Sequence, residues 1–353
     1  MKNKPLIDQL EKTHTLDLTQ WEALLSQWDD EDRAYAAGVA RRLSQQRFGT
    51  TIYVRGVVEF SNYCRNDCLY CGIRHSNANA IRYRMTKDQI LSCCQDGYQL
   101  GFRTFVLQSG EDPWFTTDRM ADIVSSIKKR FPDCAVTLSI GEMATQAYQT
   151  LFDAGADRYL LRHETADQAH YQKLHPSWQS WNNRMRCLRD LKAIGYQTGC
   201  GFMVGSPYQS PHCLAEDMVF ISAFHPHMIG IGPFIPHKDT PFAKEPAGSL
   251  ELTLFLLSLC RIACPDVLLP ATTALGTIHP EGREMGVLAG ANVIMPNLTP
   301  HDVRKNYQLY DHMRSVDIGT NLMQSDLEKR MEAIGYHLSI SRGDYHQEGG
   351  QAC

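Results

Sequence analysis

Short apolar runs and amphipathic stretches alternate along most of this chain, and that alternation limits its possible folds more than any other feature. Strands are predicted at 52–60, 103–108, 135–139, 157–161, 198–204, 228–232, 267–270 and 291–294. Helices are predicted between them, near 86–100, 117–130, 143–154, 182–194, 213–223, 250–263 and 280–289. Strands that alternate with helices pair in parallel, and eight of them indicate an α/β fold, a closed (β/α)8 barrel. An open dinucleotide-binding sheet would carry G-x-G-x-x-G after its first strand, and this chain does not.

Both ends of the chain extend beyond the predicted barrel. Apolar residues recur at helical spacing from Leu16 to Trp28, with Asp17 as a candidate cap, and a second helix is predicted after Asp30. One more helix is predicted near 323–334, and the last five residues read as a frayed tail. We therefore predict an N-terminal helical extension, the barrel, and a short C-terminal extension that closes it: 1–50, 51–300 and 301–353.

Composition argues against several classes of partner. Lys and Arg total 35 against 39 Asp and Glu, giving a net charge of −4. Nucleic-acid binding needs a basic excess, so no nucleic-acid partner is expected. No apolar run approaches the length of a membrane-spanning helix, and no apolar segment follows the first residues as in a signal peptide. We expect a cytoplasmic protein with no membrane partner.

Three of the twelve cysteines lie close together, directly after the first predicted strand. Cys64, Cys68 and Cys71 fall within the run CRNDCLYC. In a barrel this loop lies at the C-terminal ends of the strands, where active sites are built. A structural zinc ion normally takes four protein ligands, and here His75 is the nearest candidate for a fourth. Three cysteines on a 4Fe-4S cluster leave one iron open to a small molecule.

The spacing C-x3-C-x2-C, with the aromatic Tyr70 before the last cysteine, resembles the signature of radical S-adenosylmethionine (SAM) enzymes. The resemblance implies that the three cysteines hold a 4Fe-4S cluster whose open iron binds the amino and carboxylate groups of SAM. One electron then cleaves SAM to methionine and a 5′-deoxyadenosyl radical. Structural zinc, or cysteines that bind no metal, is the alternative reading.

Residues after other predicted strands fit a SAM site. Ser109, Gly110 and Glu111 resemble the family's Gly-Gly-Glu element, which takes the methionine ammonium. Glu164 is expected to accept hydrogen bonds from the ribose, and Arg184 to pair with the methionine carboxylate as a planar fork. The other residues predicted to contact SAM are Tyr70, Ser139, Met203 and Ile231.

Longer blocks make the resemblance more specific. The HydE-type radical SAM maturases of iron-only (FeFe) hydrogenase resemble this chain over residues 50–310, in YCRNDCLYCGIR (63–74), VLQSGEDP (106–113), DRYLLRHETA (157–166), IGIGPFIPH (229–237), PATTALGTI (270–278) and GANVIMPNLT (290–299). The resemblance implies an oxygen-sensitive barrel with a large cavity that acts on an iron–cysteine complex carrying CO and cyanide, with attack at the cysteine sulfur, during H-cluster assembly. The implied partners are the tyrosine-cleaving maturase that supplies this complex, a GTPase scaffold maturase, and an electron donor such as flavodoxin or ferredoxin.

Donor side chains at the predicted strand ends suit such an anionic substrate. The predicted catalytic residues are Gln108, Arg162, Thr272, Thr273 and Tyr307, whereas Thr137 and Met228 could equally be barrel filling.

Some family members carry a second cysteine trio near the C-terminus. This chain has no cysteine between Cys264 and Cys353, and Asp311, Asp317 and Gly319 stand in that stretch. One cluster is therefore expected.

Three other functions are alternatives to this one. Biotin synthase holds a second cluster on barrel cysteines, but Gln108 and Thr137 stand at the ends of the second and third strands here. Methylornithine synthase has no accessory cluster, but its lysine substrate would need an acidic partner where this rim offers Thr, Gln and Arg. A scaffold that carries a finished iron cofactor without chemistry would have no use for an intact SAM site.

Overall fold

A computed structural model describes residues 2–313, 323 and 325–346, and its strands surround one central cavity. The strands are β1 (Thr51–Val54), β2 (Gly56–Ser61), β3 (Thr104–Ser109), β4 (Ala135–Ser139), β5 (Arg158–Leu160), β6 (Gln197–Cys200), β7 (Met203–Val204), β8 (Met228–Ile229), β9 (Gly232–Pro233), β10 (Val293–Ile294) and β11 (His337–Ser339). All the ladders between these strands are parallel.

The strands close into a ring. One sheet has the order β2-β3-β4-β5-β6-β8 and another the order β10-β1-β11. Single parallel bridges join Met228 to Leu268 and Pro270 to Val293, and a third joins Val57 to Asn297. These bridges connect the two sheets at both edges. The predicted α/β barrel is therefore confirmed as the fold.

Several predicted strands are shorter or divided. The strand predicted at 52–60 breaks at Arg55, and β6 and β7 divide the one predicted at 198–204. The second break lies at Gly201, where φ is +153° and a Cβ would meet the Gly230 carbonyl oxygen at 2.0 Å. Pro270 has no N–H to donate, so the segment predicted at 267–270 makes isolated bridges instead of a ladder. The short strand β11 was not predicted.

Helices cover the outside of the ring. They are α1 (Lys4–Thr13), α2 (Leu18–Ser26), α3 (Asp30–Phe48), α4 (Lys87–Gln99), α5 (Thr117–Arg130), α6 (Thr145–Asp153), α7 (Gln168–Leu174), α8 (Trp181–Ile194), α9 (Pro211–Phe224), α10 (Leu250–Ala263), α11 (Thr273–Ile278), α12 (Gly282–Leu288), α13 (His301–Arg304) and α14 (Asp326–Ala333). Asp17 caps α2 as predicted, accepting from the Gln20 N–H at 2.8 Å. The helices α1, α7, α11 and α13 were not predicted. Within the described residues, none of the helices combines the length and hydropathy that crossing a membrane requires.

The first helices pack on the outside of the barrel, α1 and α3 against α10 and α2 against α9. Trp21 is fully buried, and the rings of Trp28 and Phe255 stack with centroids 5.1 Å apart. A fully buried aromatic side chain contributes about 2 to 3 kcal/mol through removal of apolar surface from water. Residues 4–48 therefore share one hydrophobic core with the barrel.

The C-terminal segment lies at the end of the barrel opposite the cysteine loop. β11 pairs with β1, and Thr104 at the start of β3 donates to the Arg342 carbonyl at 2.8 Å. The fully buried Arg158 at the start of β5 donates to Asp344 Oδ1 at 2.5 Å. The division into three parts stays a prediction, and the residues 317, 319 and 349–353 lie outside the described residues.

We expect Asp344→Asn to destabilise the fold. Burial opposes ionisation of Asp344, but Arg158 and Arg342 outweigh it and lower the pKa of this carboxyl to about 2. Its stabilising effect is therefore complete above its unfolded pKa of about 4 and is lost as the pH falls toward 2. Leaving the buried Arg158 without its anion should cost about 3 kcal/mol of unfolding free energy at neutral pH.

Urea unfolding at neutral pH and near pH 3 measures this effect. The matched control is Asp122→Asn, because the Asp122–Lys87 pair is exposed and should change stability by less than about 0.5 kcal/mol. Equal stability of the two variants at neutral pH would contradict the prediction.

Candidate functional site

A cavity of about 370 Å³ lies inside the barrel at the C-terminal ends of its strands. The structure brings nearly all predicted site residues to its walls, namely Cys64, Cys68, Tyr70, Cys71, Gln108, Ser109, Gly110, Glu111, Ser139, Arg162, Glu164, Arg184, Met203, Thr272, Thr273 and Tyr307. Thr137 and Met228 also line it. These residues come from every part of the barrel, so the fold and not local sequence assembles the cavity.

The structure does not place Ile231 in this cavity. Gly230 and Gly232 line the cavity, while Ile231 is fully buried in the main hydrophobic core. Successive side chains of extended backbone point to opposite faces, so the residue between two cavity-facing glycines points away. Only its backbone is therefore placed to meet a ligand in the cavity, and the contact of Ile231 with a cofactor stays a prediction.

The three cysteines sit on the loop that joins β2 to α4, and its backbone is firmly held. The Arg82 guanidinium donates to the carbonyls of Ile73 at 2.8 Å and Arg74 at 2.6 Å. The Gly72 N–H donates to the Leu309 carbonyl at 2.8 Å. A Cβ at Gly72 would meet the Gln308 carbonyl at 2.2 Å, so only glycine fits there. The cysteine positions are thereby fixed without help from a metal.

The thiol arrangement suits a cluster better than a single ion. A zinc ion bound at about 2.3 Å keeps its sulfur ligands within about 4.6 Å of one another. Among the described residues, the trio with ligand atoms within 4.8 Å of one another is Asp167, His212 and Glu216, not the three cysteines. His75, the candidate fourth ligand, is exposed. The three thiols as they stand are therefore too far apart to bind one zinc ion together.

Burial keeps these thiols protonated in the absence of a metal. It raises the pKa of Cys71 to about 12, with a further contribution from the nearby Cys64, and raises the pKa of Cys68 well above its usual value. Metal ligands must be thiolates, so a positive centre has to displace these protons. Cys68 Sγ also lies 3.3 Å from Gln179 Oε1, a contact that was not predicted.

Tyr70 has a specific partner. Its hydroxyl lies 3.2 Å from His175 Nε2, and His175 Nδ1 lies 2.9 Å from the Tyr171 carbonyl. Burial lowers the pKa of His175 to about 3, so the ring is neutral. Nδ1 then carries the proton that it donates to the carbonyl, and Nε2 accepts from Tyr70. The aromatic residue of the cysteine motif is therefore held in one orientation.

Carboxylates tie the predicted SAM contacts together. Glu111 Oε2 accepts from Arg65 at 2.9 Å, and its Oε1 accepts from the Glu142 N–H at 2.8 Å. Arg184 donates to Glu142 Oε1 and to the Arg162 carbonyl, both at 2.6 Å. Glu142 was not predicted, because it lies in a loop with no motif of its own. It positions Arg184 at the cavity wall.

Arg162 and Glu164 pair with each other. Arg162 donates from Nε at 3.1 Å and from Nη2 at 2.7 Å, one bond to each carboxylate oxygen. Glu164 has φ of 67°, a left-handed conformation that is rare outside glycine. The paired carboxylate keeps oxygen lone pairs that can accept further hydrogen bonds.

A buried His163–Asp217 pair holds the strained turn around Glu164. Both side chains are inaccessible, and burial lowers the pKa of His163 to about 3. His163 Nδ1 accepts from the Gly201 N–H at 3.2 Å, so Nε2 donates to Asp217 Oδ1 at 3.1 Å. Asp217 Oδ1 also accepts from the Ala166 N–H at 2.6 Å. The pair therefore anchors both sides of Glu164.

We expect Asp217→Ala to raise the KM for SAM by about tenfold or more, because losing such a buried hydrogen bond costs about 1 to 3 kcal/mol. Bound iron should stay at the wild-type level. Asp217→Asn keeps an acceptor for Ala166 and is the matched control. Equal KM values for the alanine variant and the wild type, measured by SAM cleavage, would contradict this role.

Several donors in the cavity have no partner among the described residues. They are Nε and Nη2 of Arg55 and the hydroxyls of Thr137 and Thr272. Burial lowers the pKa of Arg55 well below its usual value. Arg55 was not predicted, although an arginine within the apolar run TIYVRGVVEF was a signal for it. These donors are enclosed but belong to residues that line the cavity, so a small side-chain movement would let a ligand with acceptor groups satisfy them.

Comparison with known proteins identifies the family. The profile of the radical SAM superfamily matches residues 58–221. The [FeFe] hydrogenase maturase subunit HydE of Thermotoga maritima is 47% identical over 304 residues, covering 85% of this chain and 86% of that protein. This chain belongs to the HydE family of radical SAM enzymes.

More distant similarities of this HydE-family chain agree with the fold. A 3-methylornithine synthase of Methanosarcina acetivorans is 28% identical, covering 89% of this chain and 87% of that protein. The crystal structure of methylornithine synthase (PylB) superposes with a TM-score of 0.78 at 24% identity, covering 95% of this chain and 97% of that one. Membership of the radical SAM superfamily implies a 4Fe-4S cluster and SAM, and the spaced thiols with an adjoining cavity fit both.

Proposed function

We propose that this enzyme acts on an iron–cysteine complex carrying CO and cyanide during assembly of the FeFe-hydrogenase H-cluster. The observation that supports this most is the set of unpartnered donors on Arg55, Thr137 and Thr272. Buried polar groups are nearly always satisfied, so donors left over in a cavity indicate a ligand rich in acceptors. Carboxylate, cyanide and CO groups are such acceptors.

The cofactor assignments follow from the same cavity. Cys64, Cys68 and Cys71 would hold a single 4Fe-4S cluster, because no further cysteine trio occurs in the sequence after Cys264. When bound, the cluster supplies the electron that cleaves SAM to methionine and a 5′-deoxyadenosyl radical. Glu111 would accept from the methionine ammonium and Arg184 would bind its carboxylate.

The remaining SAM contacts are a ribose contact and four side chains around the cofactor. Glu164 would accept from the ribose through oxygen lone pairs not used by Arg162. Ser109, Tyr70, Ser139 and Met203 would line the rest of the SAM site.

In the substrate part of the cavity, the distance from Gln108 Nε2 to the Tyr307 hydroxyl oxygen is 3.3 Å. Arg162, Thr272 and Thr273 would complete that part, orienting the iron complex so that its cysteine sulfur faces the radical.

The proposed partners follow from this chemistry. The tyrosine-cleaving maturase would supply the iron–cysteine complex, a GTPase scaffold maturase would receive the product, and flavodoxin or ferredoxin would deliver the electron.

The cysteines of the described residues are free thiols. Reduced thiols and an oxygen-sensitive cluster suit the cytoplasm.

A methylornithine synthase-like reaction is the second candidate, and one observation favours it. The sequence suggested that the cavity offers no acid for the amine of lysine. Glu59 lines the cavity and is only 2% exposed. The expectation of a cavity without an acid is therefore wrong. At 47% identity, the likeness to HydE still outweighs the 28% identity to 3-methylornithine synthase.

Substrate-dependent cleavage of SAM decides between these functions. The anaerobically reconstituted enzyme should consume SAM faster with the iron–cysteine complex than with L-lysine or with neither. Stimulation by lysine alone would replace the proposed reaction with the mutase. A biotin synthase-like reaction would instead require a second cluster, which iron analysis measures.

A further inference from the structure

Glu59 lies on the cavity-facing side of β2. Arg55, Val57 and Glu59 all line the cavity, whereas Val58 and Phe60 belong to the core between the strands and the helices. This alternation follows the period of two residues along a strand. Glu59 is thus an acid on the interior wall of the barrel, on the same side of the chain as Arg55.

One carboxyl oxygen of Glu59 is occupied and the other is not. Asn297 donates from Nδ2 to Glu59 Oε2 at 2.7 Å. Within the described residues, no side chain donates to Glu59 Oε1. Oε1 has no partner among these residues and is not fully enclosed, so it keeps some accessible surface toward the cavity. Because an amide NH2 can only donate, Oε2 is the acceptor oxygen, and any proton of the carboxyl resides on Oε1.

The surroundings of Glu59 favour the protonated form. Burial raises the pKa of this carboxyl to about 8, against the opposing effects of Asn297 and Arg304. The other titratable groups near it are the phenols of Tyr83, Tyr307 and Tyr310, which are neutral at physiological pH. Among the described residues, no ion pair within 4.0 Å involves Glu59, although Arg304 lies near enough to act on it.

We propose that Glu59 serves as a neutral acid whose Oε1–H donates a hydrogen bond to an anionic group of the bound substrate. The inference rests on the proposed function, because that function supplies the anionic substrate. It agrees with the other cavity-lining residues Arg55, Thr137 and Thr272, which carry donors without a partner in the part of the chain that the structure describes. An ionised carboxylate at this position would repel the same ligand, so the proton makes Glu59 specific for an acceptor.

The pH dependence of KM for the iron–cysteine complex tests this role. The donor form is present below about pH 8, and the carboxylate replaces it above, so the wild-type KM should rise about tenfold by about pH 9. Glu59→Gln keeps an N–H donor and the acceptor for Asn297 but cannot ionise. Its KM should stay flat over the same range.

Glu328→Gln is the matched control. Glu328 is 5% exposed, lies on α14 outside the cavity, and accepts from the Leu338 N–H at 2.8 Å. This variant should keep the wild-type pH profile, which shows that replacing a buried carboxyl elsewhere does not flatten it. A flat profile in Glu59→Gln then excludes titration of the substrate, SAM or the cysteines, because that variant retains all of them. A wild-type KM that is flat to pH 9, or a Glu59→Gln profile that rises like the wild type, would overturn the proposal. A KM that falls as pH rises would indicate an ionised Glu59 that binds a cationic group.

Infrared spectroscopy gives a readout independent of turnover. The wild-type minus Glu59→Gln difference spectrum at neutral pH should contain the C=O band of a protonated carboxylic acid, and that band should disappear above the titration. Its absence at neutral pH would also overturn the proposal. Formation of deoxyadenosine on the iron complex at neutral pH tests the proposed function separately, so either idea can fail while the other stands.

Discussion

Replacing Cys68 with serine should abolish cleavage of SAM and reduce bound iron to a small fraction of the wild-type level. The three cysteines are the whole protein donor set for the predicted cluster, and a serine hydroxyl remains protonated where a thiolate is needed. Cleavage rates should fall by at least about a thousandfold, because the electron that starts the reaction depends on the cluster. Iron analysis, the visible spectrum and a deoxyadenosine assay measure the change.

The matched control for this substitution is Cys187→Ser. Cys187 is fully buried on α8, away from the cavity walls, and its thiol lies 3.7 Å from the Met143 carbonyl. This variant should keep its iron and its activity, even if its stability falls slightly. Retained iron and retained cleavage in Cys68→Ser would show that the predicted cluster site is wrong.

The second large effect is expected for Arg55→Met. Removing a charged donor from an anion should raise the KM for the iron–cysteine complex by about tenfold to a hundredfold, equivalent to about 1.5 to 3 kcal/mol. Cleavage of SAM without substrate should stay unchanged, because Arg55 lies at the break between β1 and β2 and is not among the predicted SAM contacts. The unfolding free energy should not decrease, since the substitution removes a buried cation whose Nε and Nη2 have no partner.

Arg261→Met is the informative contrast. Arg261 is also fully buried, but its guanidinium donates to the carbonyls of Gly290, Pro265 and Val267 and to Asn292 Oδ1. Its loss should destabilise the fold by about 3 kcal/mol and leave KM unchanged. If Arg55→Met instead destabilised the protein as much as Arg261→Met and left KM unchanged, Arg55 would be a structural residue.

The features that could be predicted from the sequence are those that depend on the local spacing of residues. The cysteine loop, the glycine stops after the helices and the order of strands all depend on residues close together along the chain. Gly101 and Gly195, for example, follow α4 and α8 with φ of +103° and +110°. A glycine that ends a helix in the left-handed region is visible in sequence because few other residues fit there.

The features that were missed depend on contacts between distant residues or on side-chain direction. Arg158 and Asp344 are 186 residues apart, and nothing in either neighbourhood indicates the pair. The direction of the Ile231 side chain could not be predicted from spacing, because a shift of one residue along extended backbone reverses which face a side chain occupies. Arg55 and Glu59 share the parity of Val57, so strict alternation along β2 could have placed both inside the barrel.

The most direct test of the proposed function is the identity of the product formed from SAM and the iron–cysteine complex. The reconstituted enzyme should bind about four irons per chain, as one 4Fe-4S cluster requires. Mass spectrometry of a quenched reaction should find the deoxyadenosyl group attached to the sulfur of the substrate cysteine. Free deoxyadenosine formed at the same rate with and without the complex, and no adduct, would contradict the proposed reaction.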